Sequence, residues 1–381
     1  MNETVSAAEI LRALVAIPTP SAVSNLSLLR WVADFLEPRG WEIEWFEWAD
    51  DAGVAKANLI ARPHLADKDA HIDLAFICHT DTVPYAANWP GALALEFREG
   101  QLHGSGSCDV KGALACFLVA IAAVSSDAIS PNIALILTAD EEIGCKGMER
   151  LLASERFSGL HIGSAIVSEP TSLRPGIAGK GYGLARITVE GREAHSAFPR
   201  QGVSAISIAA RLITRIEDSF AEPAKDSAAD LLFDPPQTTV NIGVISGGTA
   251  KNILAGACSF LVEWRPIPGE EAGSVFPRIA ALAEEAQDAE PRANISVEAL
   301  RDEQGFAPAA SGPLRDRLAT LLPGAAVGIS FGSEASRLAR IADEVIVIGP
   351  GDMRTAHSER ECVPVAELEE WTRVLQELIA Y

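Results

Sequence analysis

Four stretches of this chain run from apolar residues into histidine or carboxylate, and a fifth segment sets a carboxylate just ahead of an apolar helix. "LAFIC" (74–78) leads into His79 and Asp81, and "IALILTA" (133–139) into Asp140, Glu141 and Glu142. "AIVS" (165–168) leads into Glu169, and "VIVIGPG" (345–351) into a short loop holding His357. Between the first two, "GSGSCDVKG" (104–112) sets Asp109 just ahead of an apolar helix. His79 and Asp81 are two apart, so on an extended chain they share one face. Taken singly, each has a structural explanation: a core histidine, a helix N-cap at Asp109, first-turn acids at Glu141 and Glu142, a loop histidine. Together they deliver two imidazoles and several carboxylates, without cysteine, which suits zinc, with cobalt or manganese as substitutes. Crowded carboxylates repel one another, and one or two divalent cations are the natural way to hold them. Two cations sharing a carboxylate, about 3.5–4 Å apart, are typical of hydrolases that activate water and polarise a carbonyl.

The elements that must position these residues alternate. "LSLLRWVADFLEPRG" (26–40) reads as an amphipathic helix stopped by Pro and Gly, "HIDLAFICH" as a strand and "KGALACFLVAIAAVSS" as a buried helix. "NIALILTA", "SAIVSEP" and "DEVIVIGPG" read as further strands, with helices at "GCKGMERLLAS" and "VAELEEWTRVLQELIAY". Continuously apolar strands between helices predict an α/β fold, with a mostly parallel sheet covered by helices on both faces. Function then gathers outside the carboxyl ends of the strands.

The middle reads differently. "GLARITVEGREAHSA" alternates like a half-exposed strand, "GVSAISIAARLITRIEDSF" is helical, and two further strands flank a Gly-rich turn in "QTTVNIGVISGGTAKNILAGACSFLVEWRPIP". This predicts an α+β domain with an antiparallel sheet over residues 180–294, inserted into an α/β domain made of 1–179 and 295–381.

The 381 residues suit two domains. A formal net charge of −21 argues against nucleic acid or an anionic membrane as partner. The longest apolar run, residues 112–124, is too short to span a bilayer, and the N-terminus reads as a mature helix, not a signal peptide. Six scattered cysteines without a CxxC point to free, buried thiols in a reducing cytoplasm.

The pieces "HTDTVP", "LHGSGSCDVKG", "TADEEIG", "SEPT", "GREAHSAFP", "GGTAKNILAGACSFLVEWRPIPG" and "AHSERECVPV" resemble, in order and over nearly the whole chain, the co-catalytic zinc aminoacylase/carboxypeptidase family. That family includes acetylornithine deacetylase, succinyl-diaminopimelate desuccinylase and several dipeptidases. The resemblance implies two divalent metal ions. His79 and Glu169 would hold one, Glu142 and His357 the other, and Asp109 would bridge them. Asp81 would orient the His79 imidazole, and Glu141 would be the general base. Spacing alone does not say which of the two adjacent glutamates is base and which is ligand. His195 matches an oxyanion donor supplied by a partner subunit, which implies a homodimer formed through the inserted domain.

Arg265 and Asn252 match positions that bind the substrate α-carboxylate in relatives, and Arg suits a bidentate contact. "EPTSLRPGIAGKGY", "GISFGSEAS" and "GPGDMRTAHSE" are similar to the acetylornithine deacetylase branch; Glu334 is then either a partner for a cationic substrate side chain or an acid at a helix start. Two departures are Glu263, where relatives commonly have Asp, and Ser105, where many carry Arg. The resemblance implies removal of acetyl from N-acetyl-ornithine or a related N-acyl amino acid, as in arginine biosynthesis. A desuccinylase or dipeptidase with the same metal site, and a non-catalytic metal-binding protein on this fold, are the competing expectations.

Overall fold

The computed structural model describes residues 5–64, 71–130, 132–155, 157, 159–221, 231–269 and 275–380. The chain forms two compact units, Met1–Ile177 with Pro308–Val327 and Ser333–Tyr381, and Ala178–Ala307 with Gly328–Gly332.

The first unit is built on a sheet whose central strands are Ile133–Thr138, Ile72–His79, Ile162–Val167 and Ala342–Val347, in that spatial order and all parallel. Trp41–Ala49 and Ala55–Pro63 extend it as an antiparallel edge. Ile133–Thr138 is buried at every position, which explains its unbroken apolar run: both its faces are covered. The helix Lys111–Ala123 is buried from Lys111 to Ile121 and packs against the helices Ala7–Val15 and Val365–Ile379. A helix apolar all round belongs in a core of this kind. Each fully buried Leu or Phe in it stabilises the unit by roughly 1.5–3 kcal/mol.

Register decides where the chemistry lies. His79 pairs with Thr138, Ile77 with Val167, and Val167 with Val347. The strands therefore finish together, and the segments that follow them leave from one edge. Two close approaches bring these segments into place. A Cβ on Gly112 would lie 2.4 Å from the Ser107 carbonyl oxygen, and one on Gly147 would lie 2.2 Å from that of Ala139. Only glycine lets the Asp109 loop and the Glu141–Glu142 loop fold this tightly onto the helices they lead into.

The second unit is a four-stranded antiparallel sheet in the order Thr239–Gly247, Ala257–Arg265, Tyr182–Glu190, Asn294–Glu303. The helices Ala205–Phe220 and Val275–Ala289 cover one face, burying Ile187, Val189, Phe260, Val262, Leu212 and Ile279. The unit runs on to Ala307, past the boundary at residue 294 expected from the sequence. Asn294–Glu303 is its fourth strand, paired along its length with Tyr182–Glu190. Exposed over most of its length, that strand has too few apolar residues to declare which sheet it joins.

Candidate metal centre

His79 is the last residue of its strand, and its Nε2 lies 3.0 Å from Asp109 Oδ1. The other oxygen of the same carboxylate, Oδ2, lies 3.0 Å from His357 Nε2. His357 Nε2 is in turn 3.2 Å from Glu142 Oε2. Two groups thus have ligand atoms within 4.8 Å of one another: His79, Asp109 and Glu169, and Asp109, Glu142 and His357. Asp109 belongs to both. The donors suit divalent cations on chemical grounds, being nitrogen and oxygen without sulfur. They also leave acceptors unused. Glu142 Oε1 is buried without a hydrogen-bond partner among the described residues, and the carboxylate of the buried Glu169 accepts no hydrogen bond there. Idle carboxylate oxygens are costly in a dry site unless a cation takes them. The five residues therefore fit a pair of metal ions.

Asp81 differs from the expectation drawn from the sequence. The His79 imidazole meets the Asp81 backbone carbonyl, 2.9 Å from Nδ1, while the Asp81 carboxylate stays 3.7 Å away. That carboxylate instead accepts the backbone N–H groups of Glu141 (3.0 Å) and Glu142 (3.3 Å) and the Ser21 hydroxyl (2.7 Å). The strand ends at His79, so the two-residue alternation does not carry over to Asp81. One residue fixes the imidazole with its main chain and the glutamate loop with its side chain.

Three further buried residues hold the same loops. Lys56 Nζ donates to Asp140 Oδ1 (2.8 Å) and to the carbonyls of Ser21 (2.6 Å) and Val23 (2.8 Å), so all three ammonium protons are used. Asn58 accepts from Ala139 N and donates to the Gly147 carbonyl, clamping both ends of the Glu141–Glu142 turn. Glu361 accepts from Cys108 N (3.2 Å) and Asp109 N (3.3 Å). None of these was singled out from the sequence. The available signal was a lysine and an asparagine inside the apolar run "KANLIA", since polar residues in a buried strand need partners.

The site is electrostatically crowded. Burial pushes the Glu141 carboxyl up to about 8, reinforced by Glu142 and Asp81 and partly offset by His79. Burial likewise pushes Glu334 and Glu361 up to about 7, and raises Glu169 well above the usual range. Asp109 goes the other way: burial works against its charge, but hydrogen bonds from His357 and His79 hold it below the usual carboxylate range. Hydrogen bonds to Asp109 and Glu142 push His357 up to about 10.

A pH dependence follows for the metal-free protein. Groups raised on folding contribute stability that is complete below their unfolded values and is lost as pH rises through their folded ones. For Glu141, Glu334 and Glu361 that loss falls between about pH 4.5 and 8, and the His357 loss, through about 10, has the same sign. The depression of Asp109 acts only below this window. Metal-free protein is expected to melt lower at pH 8 than at pH 5, by more than about 5 °C. Added zinc or cobalt should raise the melting temperature more at pH 8, because cations need deprotonated ligands. Calorimetry at the two pH values checks both statements; a metal effect larger at pH 5 would contradict them.

The remaining candidates are placed as follows. Glu334 is buried in the first unit, 1% exposed, with Oε1 unpartnered among the described residues. In the second unit the His195 and Asn252 loops lie side by side, joined by a bridge from His195 to Ile253 and a hydrogen bond from Ser196 N to the Asn252 carbonyl (2.9 Å). His195 is exposed, and its Nδ1 accepts from Ala197 N at 3.1 Å, so the neutral ring carries its proton on Nε2. Arg265 donates from Nε to Glu263 Oε1 at 2.8 Å and lies over the Tyr182 ring.

The family model for peptidase family M20/M25/M40 matches residues 75–381. The chain belongs to this family. It is 38% identical to an acetylornithine deacetylase of Myxococcus xanthus, over 100% of this chain and 99% of that one. Among solved structures it is similar to a tripeptidase from Staphylococcus aureus, with a TM-score of 0.80 at 20% identity over 99% of this chain and 98% of that one. A dinuclear metal-binding M20 peptidase from Bacillus subtilis gives 0.69 at 14% identity, over 98% and 96%. At these identities the structures speak for the M20 fold alone. As an M20 family member the protein is a metal-dependent hydrolase of amide bonds. Among the described residues no helix is long and apolar enough to cross a membrane, and all six cysteines are free and buried.

Proposed function

We propose that the protein removes the acetyl group from N-acetyl-ornithine or a close N-acyl amino acid, as a cytoplasmic homodimer with two zinc ions per chain. The observation that carries the hydrolytic reading is the Asp109 carboxylate shared between two donor groups, with Glu141 beside them but in neither. His79, Asp109 and Glu169 would hold one cation, and Asp109, Glu142 and His357 the other. When bound, such ions polarise the amide carbonyl and acidify the attacking water. Glu141 accepts that water's proton as the new C–O bond forms, and returns it to the nitrogen as the C–N bond breaks. Acetate and the free amine leave. Asp81 holds Glu141 and Glu142 by their backbone N–H groups throughout.

The choice of substrate rests on the full-length likeness to the Myxococcus deacetylase and on two charged groups. Arg265, with Asn252, takes the α-carboxylate. Glu334 takes the side-chain ammonium; its unpartnered buried oxygen supports this. Glu334→Gln is then expected to lower kcat/KM for N-acetyl-ornithine by about 10–100-fold and to spare N-acetyl-methionine. A uniform loss over both substrates would remove Glu334 from side-chain recognition. The substrate itself is tested by amine release from N-acetyl-ornithine, N-acetyl-methionine, N-succinyl-diaminopimelate and a dipeptide with the zinc- or cobalt-loaded protein. Preference for another member keeps the metal chemistry and discards the acetylornithine assignment; silence on all four with metal bound favours a non-catalytic role.

The homodimer is supported by the second unit's surface. Thr239–Gly247 is an edge strand, and Val244 and Ile245 on it are 56% and 54% exposed. An apolar edge of this kind invites pairing with another chain. In the dimer the partner subunit's His195 donates its Nε2 proton to the carbonyl oxygen as that oxygen becomes anionic. His195→Ala and Glu141→Gln chains, each inactive alone, should complement when mixed and re-paired. Half the dimers would then carry one complete site, giving about a quarter of wild-type activity. Mixtures that stay inactive after verified exchange would place His195 outside a shared site.

A further inference from the structure

Arg265 belongs to a larger arrangement on the face of the second unit's sheet opposite its two helices. Its guanidinium carbon lies 4.3 Å from the centroid of the Tyr182 ring, and that of Arg301 lies 4.6 Å from the same centroid. Tyr182 is on a central strand, with Ala257–Arg265 on one side and Asn294–Glu303 on the other. The two cations therefore reach the ring from opposite neighbours. On the Arg301 side the register shifts between Ala299 and Arg301. This irregularity brings Arg301 opposite Leu184 and Glu303 opposite Tyr182. Extra residues of this kind commonly re-aim a side chain.

The two arginines are held differently. Arg301 donates from both Nε and Nη2 to the two oxygens of Glu303, each at 2.8 Å, so that carboxylate occupies one whole edge of its fork. Arg265 donates to Glu263 through Nε alone. Its two Nη groups have no hydrogen-bond partner among the described residues, and its plane is fixed by Glu263 at one edge and the ring beneath. A guanidinium held on one edge and one face, with its Nη groups free of hydrogen-bond partners among the described residues, is preorganised for a bidentate carboxylate. The Tyr182 hydroxyl takes part in no hydrogen bond among the described residues, so the ring itself is the working part.

We infer that Tyr182, backed by the Arg301–Glu303 pair, is a positioning residue for Arg265 and so sets the preference for substrates with a free α-carboxylate. The inference rests on the proposal that Arg265 receives that carboxylate, and the test separates the two. The measured quantity is the ratio of kcat/KM for the fastest panel substrate to kcat/KM for its carboxamide. Arg265→Ala should collapse this ratio. Tyr182→Leu should lower it roughly 3–30-fold, the range of a cation–π contact, through KM for the acid with kcat nearly unchanged. Tyr182→Phe, which keeps the ring, should restore it. Arg301→Gln leaves Tyr182 in place and should lower the ratio in part, which covers the case that Tyr182→Leu does not fold. A collapse in Arg265→Ala with wild-type ratios in both Tyr182→Leu and Arg301→Gln would overturn the inference and leave Arg265 as receptor. An unchanged ratio in Arg265→Ala would overturn both.

Discussion

Glu141→Gln is expected to lower kcat by about 10²–10⁴-fold while the protein still binds two metal ions per chain. Glutamine matches glutamate in size, and the loop is held through the backbone: Asp81 accepts the N–H of residue 141 whatever its side chain. Glu141 lies in neither donor group. Its carboxylate instead accepts from Cys145 Sγ at 3.4 Å. Its neighbour Glu142 contacts His357 at 3.2 Å. The two adjacent glutamates thus differ in contact, and Glu142→Gln should cost metal where Glu141→Gln costs turnover. Metal content and steady-state rates on the same preparations decide the matter. Loss of metal in Glu141→Gln with retention in Glu142→Gln would exchange the proposed roles, and an unchanged kcat in Glu141→Gln would end the base assignment.

Much of this arrangement was legible because parallel strands are both apolar and in register. An apolar run that stops at His79, at Asp140 or before Glu169 marks a strand end, and strands of one parallel sheet end at one edge. That logic located the candidate metal centre and predicted the α/β fold. It could not reach Lys56, Asn58 or Glu361. Their partners lie 84, 89 and 253 positions away for Asp140, the Gly147 carbonyl and Cys108 N, and local periodicity is blind to such distances. Asp81 shows a different limit. Its spacing from His79 is informative only while the chain stays extended, and the strand ends at His79, two residues short of Asp81. The fourth strand of the second unit was missed for a third reason: a strand exposed on most of its length carries little apolar signal, and only its pairing with Tyr182–Glu190 defines it.

Asp109→Asn should have the largest effect on the centre as a whole. The Asp109 carboxylate is buried, 4% exposed, and each of its oxygens faces a different imidazole. Asparagine keeps one acceptor and turns the other atom into a donor, so one of the two groups loses its shared ligand. The stoichiometry is expected to fall from two ions to one or fewer, and kcat by more than about 10³-fold, since several kcal/mol of charge stabilisation goes with the ion. Unfolding could mimic this, and the metal-free protein separates the two. There Asp109 is held below the usual carboxylate range, so it contributes stability above that range which is lost as pH falls through its folded value. Metal-free Asp109→Asn should therefore melt lower than wild type near neutral pH, because two imidazoles lose a buried counter-charge. It should also lose less on acidification, having no carboxylate there to protonate. A variant that melts in this way, stays folded at neutral pH by circular dichroism and still binds fewer than two ions would identify Asp109 as the shared ligand. Two ions bound at wild-type affinity would show that each group closes without it.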